Sequence, residues 1–207
     1  MLTFQSIKKS VLFIPLSCFA LFSLVSCGKN EVDSKQVATE LNKPKSDATK
    51  ERDERFLVNA AEINFEEIML GKMAEQRSMS DDVKELARML QESHRTARTE
   101  LNGLALTKSI AVPTAATKNV MEDYDKLNLA AAKEFDQEYC SMVVQSHKDA
   151  ISTFESYTQG QCDPDIKVWA LGMIPNMRIH LEKAMEIEAL MKNPVSELIT
   201  ESHRVRI

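Results

Sequence analysis

Apolar residues recur three or four positions apart in four long segments of the chain, the spacing that places them on one face of an α-helix. The first segment runs from about residue 54 to 77, the second starts near 81, the third covers about 131–157 and the fourth starts near 164. The predicted inward faces are Phe56, Ala60, Ile63, Glu67, Leu70 and Ala74; Val83, Ala87, Leu90, His94, Ala97, Leu101 and Leu104; Asp136, Cys140, Val143, His147, Ala150 and Phe154; and Ile166, Ala170, Met173, Met177, His180, Ala184, Ile187 and Met191. The pattern therefore predicts four long helices.

Residues with known preferences for helix ends bound these segments. Ser80 before two acids is a good N-cap, and Asp163 before a proline is another. Pro113 disfavours helix in the residue before it, Gly160 is well placed to end the third helix, and Pro194 follows the fourth.

Residues 115–130 are only weakly periodic and are expected to form a short extra helix and a connection between helices two and three. Because the interval after the first helix is short, the first two helices should be antiparallel neighbours. The predicted fold is all-α, an up-and-down four-helix bundle over residues 51–192, followed by a tail over 193–207.

The N-terminus has the pattern of a secretory signal. Lys8 and Lys9 precede an apolar run over residues 11–25 that is short for a membrane span and contains Pro15. Residues 24–28 resemble a bacterial lipobox, which predicts a lipoprotein signal peptide over 1–26 and lipidation of Cys27. The alternative is an ordinary cleaved signal with an incidental cysteine. Lipidation would anchor the protein to a membrane in the bacterial envelope, in the periplasm or at the outer membrane.

Composition adds three expectations. Residues 27–50 are polar with almost no large apolar groups, so they are expected to form a flexible tether. The chain of 207 residues has a formal charge of -5, which gives it no basic character with which to bind nucleic acid. After removal of the signal, Cys140 and Cys162 lie about 28 Å apart along one helical hairpin, too far for a disulfide.

One ionisable residue lies near the middle of each predicted inward face: Glu67, His94, His147 and His180. A helical bundle builds a metal site from side chains that converge from facing helices, and three imidazoles with a carboxylate suit zinc, iron or copper. Soft methionine ligands for copper(I) are a further possibility, and the candidates are Met69, Met73, Met173 and Met177, although methionine at such positions also serves as core filler.

The alternative interpretation is a hydrogen-bonded polar layer, because buried polar groups need partners whether or not a metal is present. Glu67 would then pair with His94, and His147 with a tyrosine or an aspartate. The Glu-x-x-His pair of di-iron bundles does not occur on these helices. The sequence also has no nucleophile and base pattern, phosphate loop or dinucleotide fingerprint, so it gives no basis for a classical hydrolase or transferase.

From Phe56 to about Ile187 the chain resembles the bacterial family called domain of unknown function 4142, whose members are grouped with ferritin-like bundles. The matching residues are Phe56 with Ala60-Ala61, Glu67 in Glu-Ile-Met-Leu-Gly-Lys-Met-Ala, His94, Pro113, Phe135-Asp136 with Tyr139, His147-Lys148-Asp149-Ala150, and Pro175 with His180. The chain departs from the family at Ser93, where an acid usually precedes the histidine. The resemblance implies a ferritin-like envelope domain and no established reaction.

Two functions are expected from these patterns. The first is a lipid-anchored bundle that binds a metal ion through Glu67, His94, His147 and His180 for metal handling or stress protection. The second is a non-enzymatic structural or protein-interaction module whose polar layer fixes the register of its helices.

Overall fold

The computed structural model describes residues 32–43 and 47–192, and every regular element in those ranges is an α-helix. The helices are α1 (Ser34–Asn42), α2 (Ala48–Arg77), α3 (Asp81–Lys108), α4 (Lys118–Leu129), α5 (Ala132–Gln159) and α6 (Pro164–Lys192). The predicted signal peptide 1–26, the lipidation site Cys27 and the tail 193–207 lie outside the described residues. None of the described helices is long and apolar enough to cross a membrane.

The sequence signals at helix ends act as predicted at three places. The Ser80 hydroxyl accepts from the backbone N–H of Val83 at 3.4 Å, and the Asp163 carboxylate accepts from the backbone N–H groups of Asp165 and Ile166. Gly160 is the C-cap of α5. These side chains satisfy donors that the first turn of a helix cannot satisfy itself.

The helices α2, α3, α5 and α6 form a four-helix bundle in which spatial neighbours are antiparallel. The start of α2 lies against the end of α5, where the Tyr157 hydroxyl donates to Asp53. The later part of α2 packs on the earlier part of α5, as the shared cluster of Leu70 and Val143 shows. The pair α3 and α6 is arranged in the same way: Val83 and Ile187 belong to one core cluster, and Lys108 at the end of α3 contacts Asp163 before the start of α6. The all-α bundle is confirmed.

The order along the chain differs from a plain up-and-down bundle, because α3 and α5 run in the same direction. The connection between them returns along α2 to the other end of the bundle and contains α4. Its beginning is held at Glu62, which accepts from Thr117 at 2.5 Å, and its end at Arg77, which donates to the carbonyl oxygens of Asn128 and Ala130. One long crossover of this kind is the connectivity of ferritin-like folds.

The expectation of a flexible tether over residues 27–50 is wrong for its described part, which contains α1 and the first turn of α2. Asp33 caps α1, and Asn42 at its other end exchanges two hydrogen bonds of 2.9 Å with the backbone N–H and C=O of Ala111. Only Ala38 and Asn42 of α1 are buried. The helix is therefore attached mainly by polar contacts to a segment 69 residues away, which apolar periodicity does not detect.

The predicted inward faces are confirmed: most of their members are buried, and Ile63, Leu104, Asp136, Met173 and Met191 are half-buried. The core has two hydrophobic clusters at opposite ends of the bundle, one around Leu70, Leu90 and Val143 and the other around Ala60, Leu101 and Ala150. Cys140 belongs to the first cluster and Cys162 packs against the second, and both are free thiols. On each long helix the residues between the two clusters include a buried polar side chain.

Candidate metal centre

The structure brings Glu67, His94, His147 and His180 together in the layer between the two core clusters. All four are at least nine-tenths buried. The imidazole centroids are 5.3 to 5.6 Å apart, and one nitrogen of each histidine lies within 4.8 Å of the others. Nitrogen atoms of three side chains, from α3, α5 and α6, thus face one another, and Glu67 of α2 contacts this group through the Nδ1 atom of His147.

His147 is oriented through its Nδ1 atom. That nitrogen lies 3.0 Å from the carbonyl oxygen of Val143, one turn earlier on α5, and 3.3 Å from Oε1 of Glu67. Both neighbours accept hydrogen bonds, so Nδ1 carries the proton and donates it. The other nitrogen, Nε2, faces Nδ1 of His180 at 3.2 Å.

His94 is oriented in the same way by a different residue. Its Nδ1 atom lies 2.9 Å from Oδ1 of Asn64, which can only accept, so Nδ1 again carries the proton. The Nε2 atom of His94 is buried and has no hydrogen-bond partner among the described residues. A buried acceptor without a partner is costly, so this nitrogen needs a ligand.

Glu67 supplies the negative charge of the layer. Its Oε1 atom accepts a hydrogen bond from the Ser146 hydroxyl as well as contacting His147, while Oε2 has no partner among the described residues. Burial alone would raise the pKa of Glu67, but the neighbouring His147 imidazole and the Ser146 hydroxyl lower it. The carboxylate is therefore ionised at neutral pH.

These contacts correct the pairing expected for a polar layer. Glu67 pairs with His147 rather than with His94, and His94 pairs with Asn64. The reason is the arrangement of the helices: α2 faces α5 at this level through Glu67, whereas Asn64, one turn earlier on α2, points to α3. Tyr139 is buried elsewhere on α5, and its hydroxyl has no partner within the described part of the chain.

Burial keeps two of the histidines neutral. It lowers the pKa of His94 to about 4, and together with the neighbouring imidazoles it lowers the pKa of His180 to about 3. The pKa of His147 is raised instead, because the attraction of Glu67 exceeds the effect of burial. Two imidazoles are thus deprotonated at neutral pH, the form that binds a metal ion.

Two adjoining spaces lie beside His94 and His180. A cavity of about 20 Å³ is bounded by both histidines and by Asn64, Met173 and Met177. A surface groove of about 500 Å³ between α3 and α6 reaches His180 from outside. Met173 and Met177 therefore line the histidine cavity, although Met177 also belongs to the second core cluster and Met173 packs against it. Met73 belongs to the first core cluster and does not line the cavity.

The three imidazoles and the carboxylate have the chemistry of a tetrahedral metal site. In such a site, with zinc–nitrogen bonds of about 2.0–2.1 Å, neighbouring nitrogens are roughly 3.4 Å apart. The histidine triangle, with sides of up to 4.8 Å, is slightly more open than this. Imidazole ligands usually donate their second N–H to a carboxylate or carbonyl, as His147 does to Glu67 and Val143.

Sequence reasoning missed two residues of this layer, Asn64 and Ser146. Asn64 lies three positions before Glu67 and Ser146 directly before His147. The spacing of Asn64 places it on the same face of α2 as Glu67, and from this spacing its place in the layer could have been predicted. Ser146 had no such signal, because its position beside Glu67 depends on how α2 and α5 pack.

Comparison with known proteins gives one match. The family described as Domain of unknown function (DUF4142) matches residues 38–187, which includes part of α1, the bundle and the whole crossover. No curated protein and no solved structure matches the chain.

Proposed function

The chain belongs to the family described as Domain of unknown function (DUF4142), and we propose that its bundle binds one metal ion between His94, His147 and His180. The observation that carries the proposal is the Nε2 atom of His94. It is buried, it has no hydrogen-bond partner within the described residues, and it belongs to a histidine in van der Waals range of two others. A metal ion bound there would satisfy it.

The hydrogen bonds around the layer support the same assignment. Asn64 and Glu67 hold the Nδ1–H groups of His94 and His147, which leaves the Nε2 atom of His94 free to bind a metal ion and directs that of His147 toward His180. The ionised Glu67 provides a counter-charge for a buried cation beside His147.

Zinc, iron and copper are the ions that this ligand set suits. Three imidazoles bind all of them. Copper(I) is favoured if Met173 or Met177 takes part, because the thioether is a soft ligand and both side chains line the cavity beside His94. Binding of such an ion would serve metal handling or stress protection.

The second candidate is a structural or protein-interaction module without a metal. It is favoured by the number of polar contacts already present in the layer, since Glu67, Ser146, Val143 and His180 all contact one another or His147. In this case the layer would fix helix register.

We also propose that the protein is attached to a bacterial envelope membrane by a lipid on Cys27. The support is the apolar segment and lipobox-like residues 24–28 of the sequence. Expression of the full chain in a bacterium, followed by membrane fractionation and mass spectrometry of the N-terminal peptide, tests this. Cys27→Ser is expected to move the protein out of the membrane fraction, and an unmodified Cys27 in the wild type would contradict the assignment.

Elemental analysis of the purified, untagged protein tests metal binding. The wild type and the control variant Gln91→Ala, which alters another buried polar residue of α3, are expected to contain close to one equivalent of metal. His94→Gln and His147→Gln are expected to contain none while remaining helical by circular dichroism. A folded wild type that stays metal-free after incubation with zinc, iron(II) and copper(I) would contradict metal binding and support the structural module.

A further inference from the structure

We infer that the metal ion reaches and leaves the three histidines through the groove between α3 and α6, and that this side of the site keeps one coordination position open. The inference rests on the proposed metal site. It deepens that function, because a site with an open route exchanges its ion, as a carrier or a buffer requires, whereas a closed site holds a structural ion.

The groove and the inner cavity adjoin each other, because five residues line both. The residues that line both are Ser93, Ala97, Met173, Asn176 and His180. At the inner end lies His94, and at the outer end Asn176 is exposed to solvent. His180 therefore contacts the surface groove on one side and the other histidines on the other.

The inner end of the path contains the group that needs a ligand. His94 lines the cavity, is 5% exposed, and has an Nε2 atom without a partner in the described part of the chain. The cavity of about 20 Å³ is large enough for one water molecule. Three protein ligands with a water in the fourth position is the composition of an open metal site.

The charge of the groove favours a cation. Glu92 and Glu100 contribute carboxylates to its lining, and no lysine or arginine is among the described residues that line it. Glu100 accepts a hydrogen bond of 3.2 Å from the indole N–H of Trp169, which fixes its position. Negative charge along a cleft raises the local concentration of cations and speeds their entry.

A second groove provides a control for this assignment. It lies between α5 and α6, has a similar volume of about 460 Å³, and is bordered by Ser152 and Glu182. Its lining includes Lys148 and Arg178 and no histidine. Changes there alter the surface of the same bundle without touching the proposed path.

The test is the rate of cobalt(II) uptake by the metal-free full chain, followed by visible absorption in a stopped-flow instrument. Asn176→Trp places an indole in the α3–α6 groove, and Ser152→Trp places one in the control groove. Asn176→Trp is expected to load at least about tenfold more slowly than the wild type, to the same final occupancy, while Ser152→Trp loads at the wild-type rate.

A charge reversal provides a second, independent measurement. Glu92→Lys is expected to slow cobalt(II) uptake by about tenfold at low salt, with the difference shrinking at high salt, and Glu182→Lys is expected to have no such effect. Equal final occupancy in all variants shows that the histidine site itself is intact.

The outcomes separate the route from the site. A wild type that takes up no cobalt(II), zinc or copper(I) overturns the metal site and the route with it. A wild type that loads, with Asn176→Trp and Glu92→Lys loading as fast as their controls, overturns the route alone and leaves the three-histidine site in place.

Discussion

Oε1 of Glu67 on α2 lies 3.3 Å from Nδ1 of His147 on α5, in the middle of the bundle. Both residues are almost fully buried, at 1% exposure each. The pair joins the hairpin of α2 and α3 to the hairpin of α5 and α6. The first hairpin also contains His94, and the second also contains His180. Breaking it should therefore affect both the fold and the proposed site.

Removing the Glu67 carboxylate alone is expected to lower the free energy of unfolding more than removing Glu67 and His147 together. Glu67→Leu in the metal-free protein leaves the Ser146 hydroxyl without its acceptor and His147 with only the Val143 carbonyl oxygen. Loss of one partner of a buried ion pair costs about 3–5 kcal/mol of unfolding free energy. The double variant Glu67→Leu/His147→Leu should lose less than Glu67→Leu alone. Urea unfolding measures both. A double variant that loses the sum of the single variants would show that the two residues are not coupled.

Asn64 is expected to control metal affinity without being a ligand. Asn64→Ala leaves Nδ1–H of His94 without its acceptor, and loss of such an orienting partner typically lowers metal affinity about 10–100-fold. The control is Asn59→Ala, an exposed position on the same helix. Competition with a chromophoric chelator gives the metal affinities. Equal affinities for the two variants would show that Asn64 has no role in metal binding.

Asp53 is expected to matter more for stability than its tyrosine partner. Its carboxylate accepts from the Tyr157 hydroxyl and from the backbone N–H of Asp163, so it holds α2 to the turn between α5 and α6. Asp53→Ala leaves two donors without an acceptor, and each such loss costs about 1–3 kcal/mol. Tyr157→Phe removes one donor and leaves Asp53 bonded to the turn. The midpoint temperature of thermal unfolding should be lower for Asp53→Ala than for Tyr157→Phe, and the reverse order would contradict this assignment.

Much of this fold is predictable because it rests on local rules. Periodicity alone identifies the inward faces that contain Glu67, His94, His147 and His180, and helix-end residues such as Ser80 fix where the long helices begin. The partners across the layer are different, because they depend on which helices become neighbours. The sequence leaves open whether Glu67 faces α3 or α5, and the long crossover decides it.

The stability of the protein is expected to fall in acid partly through Asp163. Burial alone would raise the pKa of this carboxyl, but hydrogen bonds from Lys108 and from the backbone N–H of Ile166 lower it below its usual 3.8. A lowered pKa stabilises the fold above the unfolded-state value and loses that effect as pH falls through the folded-state value. Asp163→Asn should therefore unfold at a lower temperature than the wild type near neutral pH, and the difference should shrink toward about pH 2.

Lys108→Met removes the cation from the same pair and is expected to flatten the acid dependence in the same direction. Melting curves recorded from about pH 6 to about pH 2 measure both variants. Curves that stay parallel to the wild type throughout this range would mean that Asp163 does not contribute to the acid response.

The attachment of α1 is expected to depend on Asn42. Asn42→Ala removes both hydrogen bonds to Ala111, and the lost bonds should weaken the docking of α1 by about 1–3 kcal/mol. Hydrogen exchange of the α1 amides should become faster, while the amides of α2 to α6 keep their protection. Thr39→Ala, at an exposed position of α1, is the control. Unchanged exchange in Asn42→Ala would show that α1 is held by other contacts.

α1 also shows the limit of pattern analysis. Its sequence lacks large buried apolar residues, and Ala38 is the single buried apolar side chain that SKQVATELN contributes. A helix that is attached by an asparagine to a backbone group 69 residues away leaves no periodic signal. The same holds for Ser146, whose role is set by the approach of α5 to α2.

The crossover between α3 and α5 divides the residues of the ligand layer between two parts of the chain. Cutting the chain in this connection would produce two helical hairpins, of which the first contains Glu67 and His94 and the second His147 and His180. Neither fragment has the full set of nitrogens. A bound ion would therefore connect the two halves. Separately produced hairpins should associate with higher affinity when the metal is supplied than when it is withheld.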